Sequence, residues 1–324
     1  MASHQYDNTD LLITQDEEGS RLDRAIFRSF PHSSRTLIMR LIRKGNLRVN
    51  GKRAKPNQHL DLNDKIFIPA SLREQDAVKL IAKPIKKLDV LPSILYEDAD
   101  ILVLNKVGGT VVHAGSGYEY GLIEQLRESM ELPQLGLAHR LDRDTSGCLL
   151  LAKHLASLRK LTQSFREKEA QKTYLAWVDG QPFPTASQIN HKLSKGQLKG
   201  GERMVISDED GVEALTDYQL ISRAQYHKYA YGLVALKPHT GRTHQLRVHL
   251  QSQGHAILGD NKYGQQKNNQ LFKKIGGKGM ALHAWQLQFS HPITHKTIQV
   301  RAPYPNWWNN ISNYHPVTNK GENT

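Results

Sequence analysis

One cysteine, Cys148, is all the thiol chemistry that 324 residues contain. That count excludes an internal disulfide and a cysteine-rich zinc site, and it fits a reducing compartment. Cys148 opens the apolar run Cys148, Leu149, Leu150, Leu151, Ala152, so it reads as a small buried hydrophobe inside a core strand. No apolar stretch approaches the roughly 20 residues needed to cross a bilayer. The opening MASHQYDNTD lacks the charged and apolar regions of a secretory signal. A cytoplasmic protein with no membrane partner is expected.

Several short catalytic strings are missing as well. Neither GxSxG nor HExxH occurs, and the DTSG of Asp144 to Gly147 has one residue too many for an aspartic protease. Gly108-Gly109 lacks the Lys and Ser/Thr that complete a nucleotide loop. His239, His244 and His249 are spaced by five, about 140° apart on a helix, where a metal-binding pair prefers four. Nothing in the chain calls for a metal, a nucleotide or a redox cofactor. There is no internal repeat of useful period.

What the chain has is positive charge. The formal net charge is +13, which calls for a polyanionic partner. Its distribution is more telling, with 12 Lys and Arg against 3 Asp between Arg21 and Lys65. Within that segment Leu22, Ile26 and Phe30 share one helix face, and Ser33 or Ser34 caps a second helix that turns Leu37, Ile38, Leu41 and Ile42 inward and ends at Gly45. Leu47 to Asn50 alternates as a strand, Asn50-Gly51 is a tight-turn signal, and Asp64 to Ile68 returns as a strand. Arg40, Arg43, Lys44, Arg48, Lys52 and Arg53 then gather near the junction of the second helix and the hairpin. They suit the phosphate oxygens of a folded nucleic acid, or form an ordinary solvated basic surface.

The order RLD, SRTLIMRLIRKGNLRVNGKRAKP, NDKIFIP resembles the S4 RNA-binding domain, and this resemblance favours RNA. The length favours two folded units. The expected division is an N-terminal tail over 1–17, an S4-like domain over 18–70, a linker over 71–90 with little apolar period, a catalytic domain over 91–310 and a polar tail over 311–324. In the larger domain a strand at Ile101 to Leu104 and helices at Gly121 to Met130 and Leu155 to Glu169 precede a strand at Tyr174 to Val178. Hairpins follow at Glu213 to Ala224 with Tyr229 to Pro238, and at Met280 to Phe289 with Thr297 to Ala302. The pattern predicts an α+β fold, with a mixed, largely antiparallel sheet and flanking helices, preceded by the small S4-like α/β domain.

The densest chemistry lies in HRLDRDTSG, His139 to Gly147. Three basic groups, two carboxylates and two hydroxyls crowd a turn that feeds a core strand, an address suited to an active site. Asp142, flanked by Arg140 and Arg143, is expected as a carboxylate, serving as nucleophile or base, or as half of a structural ion pair.

HRLDRDTSG closely resembles the signature of the RluA family of pseudouridine synthases. ILVLNKVGGTVVHAGSG at Ile101 to Gly117, KTYLAWVDG at Lys172 to Gly180 and HTGRTHQLRVHL at His239 to Leu250 match further motifs in order. GHAILGDNKYG and ALHAWQLQFSHP follow. The resemblance implies the pseudouridine synthase fold, no cofactor, and large-subunit (23S) ribosomal RNA as partner, without an obligate protein partner. It assigns glycosidic cleavage of a flipped-out uridine to Asp142, helix insertion to Arg140, a face against the target uracil to Tyr174, pairing with the aspartate to Arg247, and the pocket floor to Leu282. Asp142 has three courses open to it: adding to the sugar, adding to the ring, or removing a ribose proton. Val107 and Ala256 stand where the family commonly has proline, and changed loop rigidity is the expected result. Lys195, Lys199, Glu202 and Arg203 lie in what reads as a glycine-rich connection, either RNA-facing or solvated. The alternative class is a non-catalytic rRNA-binding or assembly factor, which has no need of Asp142, Tyr174 and Arg247 together.

Overall fold

The computed structural model describes residues 10–14, 17–82, 88–113, 120–182, 184–199 and 202–312. The chain divides into two compact units, residues 1–87 and 88–324.

The first unit runs β1 (Asp10–Leu12), α1 (Leu22–Ser29), α2 (Arg35–Lys44), β2 (Arg48–Val49), β3 (Lys52–Arg53), β4 (Lys65–Phe67) and α3 (Ala70–Ala82). Leu22 and Ile26 of α1 meet Ile38, Leu41 and Ile42 of α2 over Val49 and Ile66 of the sheet, and together they form the core. Local chemistry sets the boundaries of α2. Ser34 Oγ accepts the Leu37 N–H at 3.2 Å, and Gly45 ends the helix in the left-handed conformation at φ 77°. Asn50 and Gly51 take φ of 49° and 74° in the β2–β3 turn, a geometry that matches strand twist.

Two expectations fail here. The tail expected over 1–17 supplies β1, which pairs antiparallel with β4 and buries Leu11 and Ile13. A strand of three residues is too short for periodicity to reveal. The linker expected over 71–90 begins as helix α3, with Leu72 fully buried; little of α3 carries an apolar stripe, so its pattern resembled a connection.

The second unit runs β5 (Ile94–Glu97), β6 (Ile101–Lys106), α4 (Leu122–Met130), β7 (Gly136–Leu137), β8 (Ser146–Ala152), α5 (Leu155–Arg166), β9 (Gln171–Asp179), β10 (Ala186–Lys199), β11 (Glu202–Ser207), β12 (Val212–Tyr226), β13 (Tyr229–Pro238), α6 (Gln245–Ser252), α7 (Gln266–Lys274), β14 (Leu282–Ser290), β15 (Thr297–Arg301) and α8 (Trp308–Ser312). One sheet of 11 strands has the order β11-β10-β12-β13-β9-β14-β8-β6-β5, with β15 on β14 and β7 on β8. Its strands pair antiparallel except β8 with β14. The fold is α+β, as expected.

The connection expected around Lys195 to Arg203 is instead the end of the β10–β11 hairpin, which pairs from Leu193↔Ser207 to Lys199↔Glu202 with an irregularity after Lys195. Its glycines masked a strand pattern; the side chains of Lys195, Lys199, Glu202 and Arg203 lie outside the described residues. The polar tail expected from 311 starts within α8, where Ile311 is buried, and 313–324 lie outside the described residues. Among the described residues no helix is long and apolar enough to cross a membrane.

The lone parallel pairing matters most for function. β8 leaves the HRLDRDTSG run and registers at once on β14, Ser146 against His283 and Gly147 against Ala284. All seven β8 residues are buried. Gly147 sits at φ 106°, and a Cβ there would fall 2.3 Å from the Ala284 carbonyl oxygen. Only glycine fits. Gly147→Ala is expected to lower the unfolding free energy by about 2–4 kcal/mol, measured by urea titration of the intact chain. A change below about 0.5 kcal/mol would show that this junction is not constrained as described.

Candidate active site

The turn that carries Asp142 is fastened at both ends. Before it, His139 Nε2 accepts the Leu150 N–H at 3.1 Å, and its ring stacks on Phe165 at 4.8 Å and 18°. Burial pushes its pKa down to about 3, so the ring stays neutral and keeps its acceptor lone pair. After the turn, Ser146 Oγ and His283 Nδ1 are 2.8 Å apart, and burial holds the fully buried His283 at a pKa of about 4. Within the turn the Thr145 N–H donates to the Asp142 carbonyl at 3.2 Å.

Lys106, at the end of β6 and 1% exposed, ties this turn to the next loop. Its Nζ donates to the carbonyls of Val107 and Thr110, both at 3.0 Å, and of Arg143 at 2.8 Å. Burial lowers its pKa to about 8, with the charges of Asp144 and Asp142 opposing the shift. The Gly109 N–H adds a bond to the Arg143 carbonyl at 2.9 Å. Val107 is exposed in this loop.

Asp142 projects from the turn with 28% of its side chain exposed. Arg247 Nη1 approaches Asp142 Oδ2 at 3.4 Å. The rest of the Arg247 fork is taken by Asp260, with Nε to Oδ2 at 2.7 Å and Nη2 to Oδ1 at 2.8 Å. Both partners are buried, at 6% and 0% side-chain exposure. Burial works against the Arg247 charge, but the Asp260 hydrogen bond and charge outweigh it and raise the guanidinium above its ordinary range. For Asp260, burial alone would raise the carboxyl; bonding to Arg247, with the N–H groups of Lys262 and Tyr263, holds it low instead. The Tyr263 ring lies 5.0 Å from the guanidinium carbon.

Helix α6 delivers Arg247 because all residues from Gln245 to Leu250 are buried. Gln245 Oε1 accepts from Thr240 Oγ1 at 2.7 Å and from the Arg242 N–H at 3.1 Å, which fixes the helix entry. Tyr174 of β9 faces Ala284 of β14, and Leu282 faces Ala176 in the same register. Alternation puts these four on one face of the sheet. Tyr174 is half-buried, and burial followed by the Asp142 charge raises its hydroxyl pKa, so it stays protonated. Leu282 is 3% exposed. Arg140 is exposed two residues before Asp142.

In the first unit, Arg40, Arg43 and Lys44 line one open pocket of about 530 Å³ with Arg35, Thr36 and Met39. Arg48 Nε donates to the Gly45 carbonyl at 3.1 Å and Arg53 to the Arg43 carbonyl, where they oppose the negative end of α2. Lys52 is exposed beside them on β3.

Four residues around Asp142 escaped sequence reasoning: Asp260, His244, Tyr263 and Lys106. The only available signal was a buried arginine's need for a carboxylate, which a single sequence cannot assign. His239, His244 and His249 go to three partners, Asp217, Tyr263 and Thr216. Asp98, Asp100 and His291 hold ligand atoms within 4.8 Å of one another. Asp98 already accepts from Tyr96, His291 and two backbone N–H groups, the pattern of a turn clasp.

The neutral histidines give a pH dependence. His139 at about 3, and His249 and His283 at about 4, are depressed by burial below the unfolded value of about 6.5. Between those limits the unfolded chain binds more protons, so stability falls as pH drops from 6.5 toward 4. Urea titrations should show a loss of about 2 kcal/mol or more across that window. A flat response would mean that these rings titrate freely.

The family model described as RNA pseudouridylate synthase matches residues 100–252, and the S4 domain model matches 20–66. The chain is 40% identical to ribosomal large subunit pseudouridine synthase C of Pasteurella multocida, over 90% of this chain and 89% of that protein. The Escherichia coli protein of the same name is 42% identical, over 90% and 91%. Human RNA pseudouridylate synthase domain containing 1 superposes with a TM-score of 0.58 at 29% identity, over 70% of this chain and 89% of that one. Sequence and fold agree: the chain belongs to the RNA pseudouridylate synthase family, with an S4 domain in its first unit.

Proposed function

We propose that this protein isomerises specific uridines of 23S ribosomal RNA to pseudouridine in the cytoplasm, without an obligate protein partner. The relatives named for the large ribosomal subunit support the substrate. One observation carries the assignment of residues. Asp142 keeps one carboxylate oxygen against Arg247, while Oδ1 has no donor among the described residues.

The reaction needs such an oxygen. Uracil leaves C1′ through N1, turns, and reattaches through C5, so every course open to the aspartate starts from an unprotonated oxygen free to reach the nucleotide. Asp142 Oδ1 serves that role, and Arg247 compensates the carboxylate charge. Tyr174 supplies a flat face that permits rotation of the base, its hydroxyl held protonated by burial. Leu282 and the apolar sheet face under it keep water from the detached ring. A paired base is inaccessible, so the nucleotide is extruded, and Arg140, exposed beside the turn, fills the vacated place. Arg40, Arg43 and Lys44 of the first unit supply phosphate contacts, with Arg48, Lys52 and Arg53 as their flank.

Two variants separate chemistry from anchoring. Asp142→Asn should abolish pseudouridine formation on 23S rRNA, by at least about 10³-fold, with RNA affinity within about twofold. Arg40→Glu with Arg43→Glu should weaken RNA binding by tenfold or more and flatten its salt dependence. Turnover by Asp142→Asn at the wild-type rate refutes the catalytic assignment; unchanged salt dependence in the double variant refutes the anchor.

A further inference from the structure

His244 occupies a place that its backbone disfavours. It precedes α6 at φ 55°, in the left-handed region, and its side chain makes no capping bond. That conformation costs an L-residue about 1–2 kcal/mol, and asparagine and glycine adopt it at least as readily as histidine.

The ring touches two groups. Nδ1 is 2.8 Å from the Tyr263 hydroxyl, and Nε2 is 3.9 Å from Asp142 Oδ2. Tyr263 decides the tautomer. Its oxygen already accepts the Val205 N–H at 3.0 Å, which leaves its own proton to donate to Nδ1. The opposite arrangement strands the phenol proton and turns the Nε2 lone pair toward a carboxylate. Burial favours the neutral ring, with Asp142 pulling the other way, so the proton carried on Nε2 faces Asp142. Oδ2 therefore receives the Arg247 Nη1 hydrogen bond at 3.4 Å and faces the positive end of the His244 Nε2–H dipole at 3.9 Å, an electrostatic contact longer than a hydrogen bond.

We infer that His244 is a positioning residue: fixed as the Nε2–H tautomer by Tyr263, it works with Arg247 to hold Oδ2 of Asp142, so that Oδ1 is the oxygen presented to the uridine. The inference rests on the assignment of Asp142 as the reacting carboxylate. It adds a second fastening to the aspartate, running through Val205 of β11, Tyr263 and His244, beside the one from Asp260.

The test compares His244→Asn, His244→Gln and Tyr263→Phe with Asp142→Asn, all in the intact chain, under single turnover on a 23S rRNA transcript. Asparagine suits the left-handed backbone and still meets Tyr263 but is too short to reach Asp142. Its rate constant should fall about 10- to 100-fold while Tm holds or rises and RNA Kd stays within twofold. Glutamine places an N–H near the position of Nε2 and should recover most of that loss. Tyr263→Phe, which frees the tautomer, should slow the step about tenfold. A wild-type rate in His244→Asn beside an inactive Asp142→Asn overturns the inference alone, and so does a rate that falls only in step with Tm or RNA affinity. Turnover by Asp142→Asn overturns the assignment of Asp142 and the inference with it.

Discussion

A guanidinium with 6% of its side chain exposed cannot stand in a protein interior without compensation, and the disposition of Arg247 organises everything around Asp142. Desolvating one ion costs several kcal/mol. Asp260 meets that cost with two parallel hydrogen bonds, and the remaining Nη1 is left to face the partly exposed Asp142. The arrangement is asymmetric by design of burial: one carboxylate is sealed and spends both oxygens, and the other is held by one oxygen only. That asymmetry leaves one oxygen of Asp142, Oδ1, without a donor among the described residues.

The sheet converts this local chemistry into a fixed geometry. β8, β14 and β9 are consecutive in the sheet, so Leu282, Tyr174 and the turn bearing Asp142 come from three neighbouring strands. Gly147 permits the close approach of β8 to β14, and Lys106 binds the turn to the loop after β6 through three carbonyls. Lys106 is a buried polar group matched to three partners, the condition under which polar cores add rigidity instead of instability.

Much of this was legible in the chain. The helices of the first unit follow from apolar spacing, Ser34 and Gly45, and the β12–β13 and β14–β15 hairpins follow from alternation between turn signals. HRLDRDTSG was legible as a charged turn feeding the buried strand β8. What stayed hidden has physical reasons. β1 is too short to show a period, α3 too polar to show a stripe, and the glycines near β10 and β11 disguised a long hairpin as a connection. Asp260, His244, Tyr263 and Lys106 matter through pairings between elements distant in sequence, such as β6 with the Arg143 carbonyl, and no spacing rule encodes those.

The central claim is that the buried Asp260–Arg247 pair sets the state of Asp142. Asp260→Asn tests it most directly, because it removes one charge from the sealed pair at a side chain with no solvent exposure. Single-turnover pseudouridine formation on 23S rRNA should fall about 100-fold, with a stability loss of about 3–5 kcal/mol and RNA affinity within about twofold. A folded Asp260→Asn protein that turns over at the wild-type rate would contradict the account.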